Sequence, residues 1–252
     1  MTDKWFEIDG LNKSFDGLQA LADFSCSVRE GEIVGLIGPN GAGKTTLFNA
    51  ITGFITPDAG NVTFRGVELI GMPSHEIVTL GIARTFQELR LIRRMTVIEN
   101  VLLAFTNQPG ERLGNLFIRW RASSIKEAEN HKRAISLLEE VGLAEKSHGP
   151  AEDLSYGQQK LLSLVCCLAV GANLLLLDEP VAGLAPHMIE KILLIIRNLQ
   201  AQGKSVVLVE HNLEVVMQVC NHVVFMAAGK KISEGTPEEV RNDPSVIEAY
   251  LS

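Results

Sequence analysis

The chain is short of cysteine, of excess positive charge and of uninterrupted apolar sequence, and each shortage removes a class of protein. Four cysteines occur in 252 residues, at positions 26, 166, 167 and 220. They form no C-x-x-C pair and no histidine cluster lies near them, which disfavours a metal centre or a disulfide framework. Cys166 and Cys167 stand side by side in an apolar run and are expected as buried thiols in a reducing compartment. Lys and Arg total 23 against 30 Asp and Glu, a formal charge of −7. Nucleic-acid binding leans on basic surface, so this balance argues against it. Met1 to Gly10 contains no basic stretch followed by an apolar core, and no signal peptide is expected. Leu161 to Leu177 is almost wholly apolar and comparable in length to a short membrane span. Gly171-Ala172-Asn173 interrupts it, however, and Asp178-Glu179-Pro180 closes it. A buried helix, a turn and a buried parallel strand are expected there, with no transmembrane helix. Internal repeats and low-complexity segments are also missing.

What the chain does have is organised around Gly35-Leu36-Ile37-Gly38-Pro39-Asn40-Gly41-Ala42-Gly43-Lys44-Thr45-Thr46. The apolar run Ile33 to Ile37 reads as a buried strand before it, and a helix is expected from Thr45 to about Gly53. Strand, glycine loop and helix start, in that order, give the G-x-x-x-x-G-K-[ST] pattern its physical meaning. The glycines let successive backbone N–H groups turn inward as an anion cradle, and the helix N-terminus adds unpaired donors and a positive dipole end. Lys44 would reach the β- and γ-phosphates and the Thr45 hydroxyl would hold Mg²⁺. The loop therefore binds a nucleoside triphosphate.

The rest of the chain supplies a frame for that loop. Phe24, Cys26 and Val28 alternate with Ser25 and Ser27, a half-buried strand among several in the first thirty residues. Pro57-Asp58-Ala59-Gly60 predicts a turn, Asn61 to Arg65 a strand, and residues 74–80 a short helix stopped by Gly81. From Glu88 to Asp153 apolar residues recur at helical spacing, as in Val97, Val101 and Leu102 and then Ile135, Leu138 and Val141. This predicts a mostly helical insertion, with an irregular link around Asn107 to Asn115 and a capping box from Ser124 and Glu127. Arg84, Arg90, Arg93, Arg94, Arg112, Arg119 and Arg121 gather there, either as a solvated face or as a docking surface for a protein or lipid headgroups. From Leu174 onward strands (Leu174–Leu177, Val206–Val209, Val223–Met226) alternate with helices (from Pro186 to a Gly203 stop, and Leu213–Cys220). Thr236-Pro237-Glu238-Glu239 announces a final helix. Such alternation predicts an α/β fold with parallel strands covered by helices.

A phosphate loop needs a carboxylate for the metal and a group to position water. Asp178 and Glu179 end a buried strand, and ligands lie at the carboxyl ends of parallel strands. Asp178 would help hold Mg²⁺, and Glu179 could polarise the attacking water. Gln87, after Arg84-Thr85-Phe86, and His211, two residues past Val209, sit just beyond apolar segments, and His211 falls on the phosphate side.

Leu154-Ser155-Tyr156-Gly157-Gln158, read alone, is the capped mouth of a helix and another anion-binding N-terminus. Together with the loop and the carboxylate strand it resembles the signature of the ATP-binding-cassette (ABC) ATPase family. That resemblance implies a P-loop NTPase core with a parallel sheet, an N-terminal antiparallel β subdomain and an inserted α-helical subdomain. The chain would be a single domain, with core residues 1–87 and 159–252 and helical residues 88–158. It implies ATP and Mg²⁺ as cofactors, and catalytic roles for Lys44, Gln87, Glu179 and His211. Thr45, Gln87 and Asp178 would hold the metal, and Gly38, Asn40, Gly41, Gly43, Lys44, Thr45 and Thr46 would cradle the phosphates. Phe15 falls where the family stacks an aromatic on adenine. Ser155, Gly157 and Gln158 would meet the ATP of a second subunit in a head-to-tail dimer.

Further implied partners are transmembrane permease subunits, met by the helical insertion, and indirectly a periplasmic substrate-binding protein, which places the chain on the cytoplasmic face of the membrane. Gly81 to Gln87, Met95 to Asn100 and Val246 to Leu251 look most like the ATPase component of branched-chain amino-acid importers. Relatives serving urea, other amides or lipopolysaccharide share parts of these segments. A soluble ABC protein of translation or DNA repair would need tandem cassettes or a long coiled coil. Only one phosphate loop is present, and Lys44 to Asp178 carries no sustained heptads. A regulatory module without turnover fits poorly with Glu179 at the base position. One departure stands out: many family members place an aspartate after the Gly-Leu that follows the carboxylate strand, whereas this chain has Gly183-Leu184-Ala185-Pro186.

Overall fold

The computed structural model describes residues 5–87, 89–106 and 120–251. The expected link around 107–115, Arg112, Arg119 and the side chains of Arg121 and Ser124 lie outside what is described. The chain builds two sheets. β1 (Phe6–Phe15), β2 (Leu18–Val28), β4 (Ala59–Phe64) and β5 (Val67–Glu68) form an antiparallel sheet in the order β2-β1-β4-β5. Asp16 and Gly17, both at positive φ, close the first hairpin, as a two-residue Asp-Gly turn does when its twist must match the strands. The second sheet has the order β10-β9-β3-β8-β7-β6, from β3 (Ile33–Ile37), β6 (Ile82–Arg84), β7 (Leu174–Asp178), β8 (Ser205–Val209), β9 (His222–Ala227) and β10 (Lys230–Gly235). Its neighbours pair in parallel except β9 and β10.

Every residue of β3, β7 and β8 is buried, which suits central parallel strands covered on both faces. Their alternate side chains feed two cores. Ile33, Ile37, Leu175, Leu177, Val206 and Leu208 join the core that includes α3 (Val97–Leu103), α5 (Tyr156–Ala169), α6 (Pro186–Ala201) and α7 (Leu213–Val219). Val34, Leu36, Leu174, Leu176, Val207 and Val209 pack instead with α1 (Lys44–Ile51) and with Phe6, Phe24 and Phe64 of the antiparallel sheet. Each such side chain contributes roughly 1.5–3 kcal/mol relative to exposure, and a one-residue slip of any strand would exchange its two faces. The strand ends that carry the site are therefore held in register by the cores on either side.

Three features differ from the sequence reading. β5, β6 and β10 are strands the pattern did not reveal: β5 spans two residues and β6 three, and β10 is an edge strand whose residues are largely exposed. The end of the chain holds two helices, α8 (Pro237–Asn242) and α9 (Pro244–Leu251), because Pro244 pushes Asp243 into extended backbone. α4 (Trp120–Glu140) includes Ser124, which therefore stands inside the helix and not at its cap. The residues before it, Trp120 to Ser123, contain no helix breaker. The expected cap at Thr236 is present, with both arms of its box to Glu239. α2 (Ser74–Thr79) also forms as read. Between Gln87 and α3, the Asn100 side chain accepts from the Ile92 N–H and donates to the Ile92 and Thr96 carbonyls, pinning the segment that leads into the helical insertion.

Candidate nucleotide site

β3 ends at Ile37 and α1 opens at Lys44, so residues 38–43 must reverse the chain within six residues. Gly38 and Gly43 lie at φ 150° and 103°. A Cβ on Gly38 would fall 1.9 Å from the Met226 carbonyl oxygen, and one on Gly43 2.3 Å from that of Ala20. Only glycine lets the loop lie this close to β9 and β2. Gly43 caps α1 in the left-handed conformation without a side-chain acceptor, which leaves the first-turn N–H groups of α1 to a ligand. The buried Lys44 ammonium donates to the carbonyls of Gly38 at 2.7 Å and Pro39 at 2.9 Å, lying along the loop's inner edge. Burial lowers its pKa, and the charges of Glu179 and Asp178 work against that shift. Both carboxylates therefore act on the same ammonium.

β7 stands two strands away from β3, with β8 between them. At a strand spacing of ~4.8 Å this leaves roughly 10 Å between the loop and the carboxylates, room for phosphates and a metal. Asp178 is the last residue of β7. Its Oδ2 accepts from Arg84 Nη2 at 2.9 Å, with side-chain exposures of 4% and 5%. Arg84 also donates to Asn49 Oδ1 on α1 at 2.7 Å and lies over the rings of Phe48 and Phe86. The Asp178 N–H donates to Thr85 Oγ1 at 3.0 Å. Arg84 thus leaves the basic surface group to which its sequence neighbourhood assigned it: it is a buried partner of the carboxylate. Arg90, Arg93 and Arg94 remain exposed.

Glu179 has φ 47°, although it precedes proline and carries a full side chain. Left-handed backbone at a non-glycine residue costs about 1–3 kcal/mol and survives only where its surroundings enforce it. Here the Glu179 N–H is held by the Val209 carbonyl at 3.0 Å. The turn aims its carboxylate between two other residues that the sequence singled out. Gln87 Nε2 donates to Oε2 at 3.4 Å, and His211 Nδ1 lies 3.7 Å from Oε1. Gln87, Glu179 and His211 therefore meet at the carboxyl ends of β6, β7 and β8.

Three oxygen donors stand at element ends: the Asp178 carboxylate at the end of β7, the Thr45 hydroxyl in the first turn of α1 and the Gln87 amide three residues past β6. Hard oxygen ligands of this kind, completed by phosphate oxygens, suit Mg²⁺, which is bound through one or two carboxylates and substrate and not by a cage of protein ligands. Among the described residues no group of three or more His, Cys, Asp or Glu forms such a cage.

Phe15 ends β1 at the hairpin tip and is 44% exposed, with the Lys13 ammonium 5.4 Å from its ring centre, so it is not a core residue. Ser155 caps α5, accepting from the Gln158 N–H at 3.4 Å, while Gln158 Oε1 accepts from the Ser155 N–H at 3.1 Å and from Lys146. The capped-helix reading of this motif is correct for the chain on its own. Gly157 packs beside Leu184 and Met188. Ala185 stands at the N-cap of α6 and gives it no side-chain cap. The four cysteines are free, and burial pushes each thiol up to about 12, so none is a thiolate at neutral pH.

Known proteins resemble this chain over nearly its whole length. The family profile described as "ABC transporter" matches residues 21–182, and one described as "Branched-chain amino acid ATP-binding cassette transporter" matches residues 230–251. The chain is 40% identical over 252 residues to the high-affinity branched-chain amino acid transport ATP-binding protein LivG of Salmonella typhimurium, covering 100% of this chain and 99% of that protein. It is 40% identical over 247 residues to BraF of Pseudomonas aeruginosa, a protein of the same description, covering 97% and 96%. Among solved structures it resembles a nucleotide-free ATP-binding cassette from an ABC transporter (TM-score 0.85, 35% identity, 98% and 99% covered). It resembles equally the ADP conformation of an ABC-transporter cassette (TM-score 0.86, 35% identity, 98% of each chain). With its phosphate loop, carboxylate strand and capped signature helix on one α/β frame, the chain belongs to the ATP-binding-cassette family of ABC transporters.

Proposed function

We propose that the chain is the Mg²⁺-dependent ATPase subunit of an importer for branched-chain or related amino acids, acting through partner permeases. The observation that carries hydrolysis is the meeting of Gln87 and His211 on the Glu179 carboxylate, beside Lys44. The loop N–H groups and Lys44 bind the β- and γ-phosphates of ATP, and Phe15 lies against the base. Thr45, Asp178 and Gln87 hold Mg²⁺, which neutralises charge on the transferring phosphoryl group. Glu179 takes a proton from the attacking water, while Gln87 and His211 fix its carboxylate. Ser155, Gly157 and Gln158 of a second subunit complete the site in a head-to-tail dimer. The core would comprise residues 1–87 and 159–252 and the helical subdomain 88–158.

The importer assignment rests on full-length identity to branched-chain amino acid transport ATP-binding proteins and on the profile match at residues 230–251. Among the described residues no helix is long and apolar enough to cross a membrane. In this reading a partner permease holds the chain at the cytoplasmic face. A groove of about 500 Å³ between the core and the helical insertion is lined by Phe54, Ile77, Ile92, Leu103 and Ala104, with Arg90 at its edge. Phe54, Ile92 and Leu103 are large exposed apolar side chains, and a permease helix would cover them. The test is reconstitution in proteoliposomes with the permeases and binding protein encoded beside it. Leucine, isoleucine or valine should be taken up with stimulated ATP hydrolysis. Stimulation by urea or an amide alone would move the assignment to another importer.

A further inference from the structure

Two buried ionisable side chains behind the carboxylate strand have no part in the chemistry above. Lys160 lies on α5, five residues past Ser155, and is 7% exposed; its Nζ donates to the Glu179 carbonyl at 2.6 Å. Glu210, the residue before His211, is 1% exposed; its Oε1 accepts from the Val181 N–H at 3.3 Å, and its Oε2 has no partner. Burial pushes the Glu210 carboxyl up and the Lys160 ammonium down, and Glu210 is the carboxylate that most offsets the lowering at Lys160.

Between these contacts lies Glu179-Pro180-Val181. Local sequence does not favour the backbone found there, because a residue before proline prefers extended conformations and Pro180 has no N–H with which to anchor itself. The left-handed Glu179 must be held from outside, and Lys160 and Glu210 grip its turn from either end. A buried lysine is an expensive way to bond one carbonyl, and an apolar side chain would fill the same space more cheaply. Retaining the charge makes sense where a fixed orientation matters.

We propose that Lys160, seconded by Glu210, is a positioning residue that fixes the backbone of Glu179 and so aims its carboxylate between Gln87 and His211. This rests on the reading of Glu179 as the base. Because Lys160 and Ser155 share one helix, any shift of that helix as it grips the opposite subunit's ATP is passed to Glu179.

The experiment is a double-substitution cycle on Mg-ATP hydrolysis, with nucleotide affinity measured alongside. Lys160→Met should lower kcat by ~10–100-fold, the scale of a small misplacement of a reacting group, and leave KM and nucleotide Kd within about twofold. Lys160→Arg, which keeps a charged donor, should recover a large part of the rate. In a Glu179→Gln background Lys160→Met should cost nothing more, because the group it serves is already gone. Glu210→Gln, which keeps an oxygen for the Val181 N–H and removes the charge that offsets the burial of Lys160, should fold and still lower kcat. Wild-type kcat in Lys160→Met, or an undiminished loss in the Glu179→Gln background, would overturn the proposal. If Lys160→Met fails to fold, Glu210→Gln decides: a stable protein with wild-type kcat refutes the clasp. A wild-type chain that does not hydrolyse Mg-ATP at all would instead sink the ATPase reading itself.

Discussion

Replacing Arg84 with Met tests the electrostatic design of the site where the structure is most explicit. The guanidinium and the Asp178 carboxylate are 2.9 Å apart and almost fully removed from water. Removing one partner of a buried pair leaves an uncompensated charge, which typically costs about 3–5 kcal/mol. Met retains most of the packing against Phe48 and Phe86, so the loss should be chiefly electrostatic, and Asn49 Oδ1 loses its donor as well. For a chain of this size 1 kcal/mol corresponds to roughly 2–4 °C, so the melting temperature should fall by roughly 6–20 °C. Adding Asp178→Leu to the same protein removes the orphaned charge and should restore most of the stability without restoring hydrolysis. Mg-ATP, which brings a new cation to Asp178, should raise the melting temperature of Arg84→Met more than that of the wild type. Thermal unfolding followed by circular dichroism, with and without Mg-ATP, reads all three. A melting temperature of Arg84→Met within 2–4 °C of wild type, about 1 kcal/mol, would refute the reasoning.

Lys44→Ala should weaken ATP binding as well as turnover, because it deletes the charge at the loop's inner edge; equal affinity for ATP in an equilibrium titration would contradict that. Arg90→Glu should reduce recruitment to permease-containing membranes and leave the isolated subunit's hydrolysis nearly intact. Arg90 is exposed and lies 3.5 Å above the Phe86 ring at the groove's edge, and unchanged sedimentation with membranes would return it to an ordinary solvated surface. Ala185→Asp should supply α6 with the N-cap it lacks and stabilise the protein by about 0.5–2 kcal/mol in a denaturant titration.

Much of the frame could be read from local pattern. Ile33–Ile37, Leu174–Leu177 and Val206–Val209 are apolar throughout because both their faces are covered, and Thr236 with Glu239 spells a helix start that the structure reproduces. β10 escaped because an exposed edge strand owes its place to its neighbour's hydrogen bonds and not to an apolar face of its own. Arg84, Lys160 and Glu210 escaped for a related reason: their partners lie far away in sequence. Arg84 meets Asp178 across 94 residues, and Lys160 meets the backbone of Glu179, which no side-chain motif records. A weak signal did exist for Arg84, a charge placed directly after the apolar Ile82-Ala83 and three residues before Gln87. The meeting of Gln87, Glu179 and His211 likewise depends on the strand order β8-β7-β6, although each residue's place at the end of an apolar segment marked it as a candidate.

Glu179 carries the central claim, that one subunit's base and the opposite subunit's signature serve a single ATP. Glu179→Gln keeps the shape of the side chain and removes its proton affinity, and base catalysis of this kind typically contributes ~10²–10⁴-fold. Binding should persist, since the phosphates and metal are assigned to the loop, Lys44, Thr45 and Asp178. The decisive measurement is gel filtration of Glu179→Gln with Mg-ATP and with ADP, repeated after adding Ser155→Arg. The account predicts a dimer with Mg-ATP, a monomer with ADP, and no dimer in the double variant, where bulk enters the composite site. Wild-type hydrolysis by Glu179→Gln, or a monomer at saturating Mg-ATP, would contradict it.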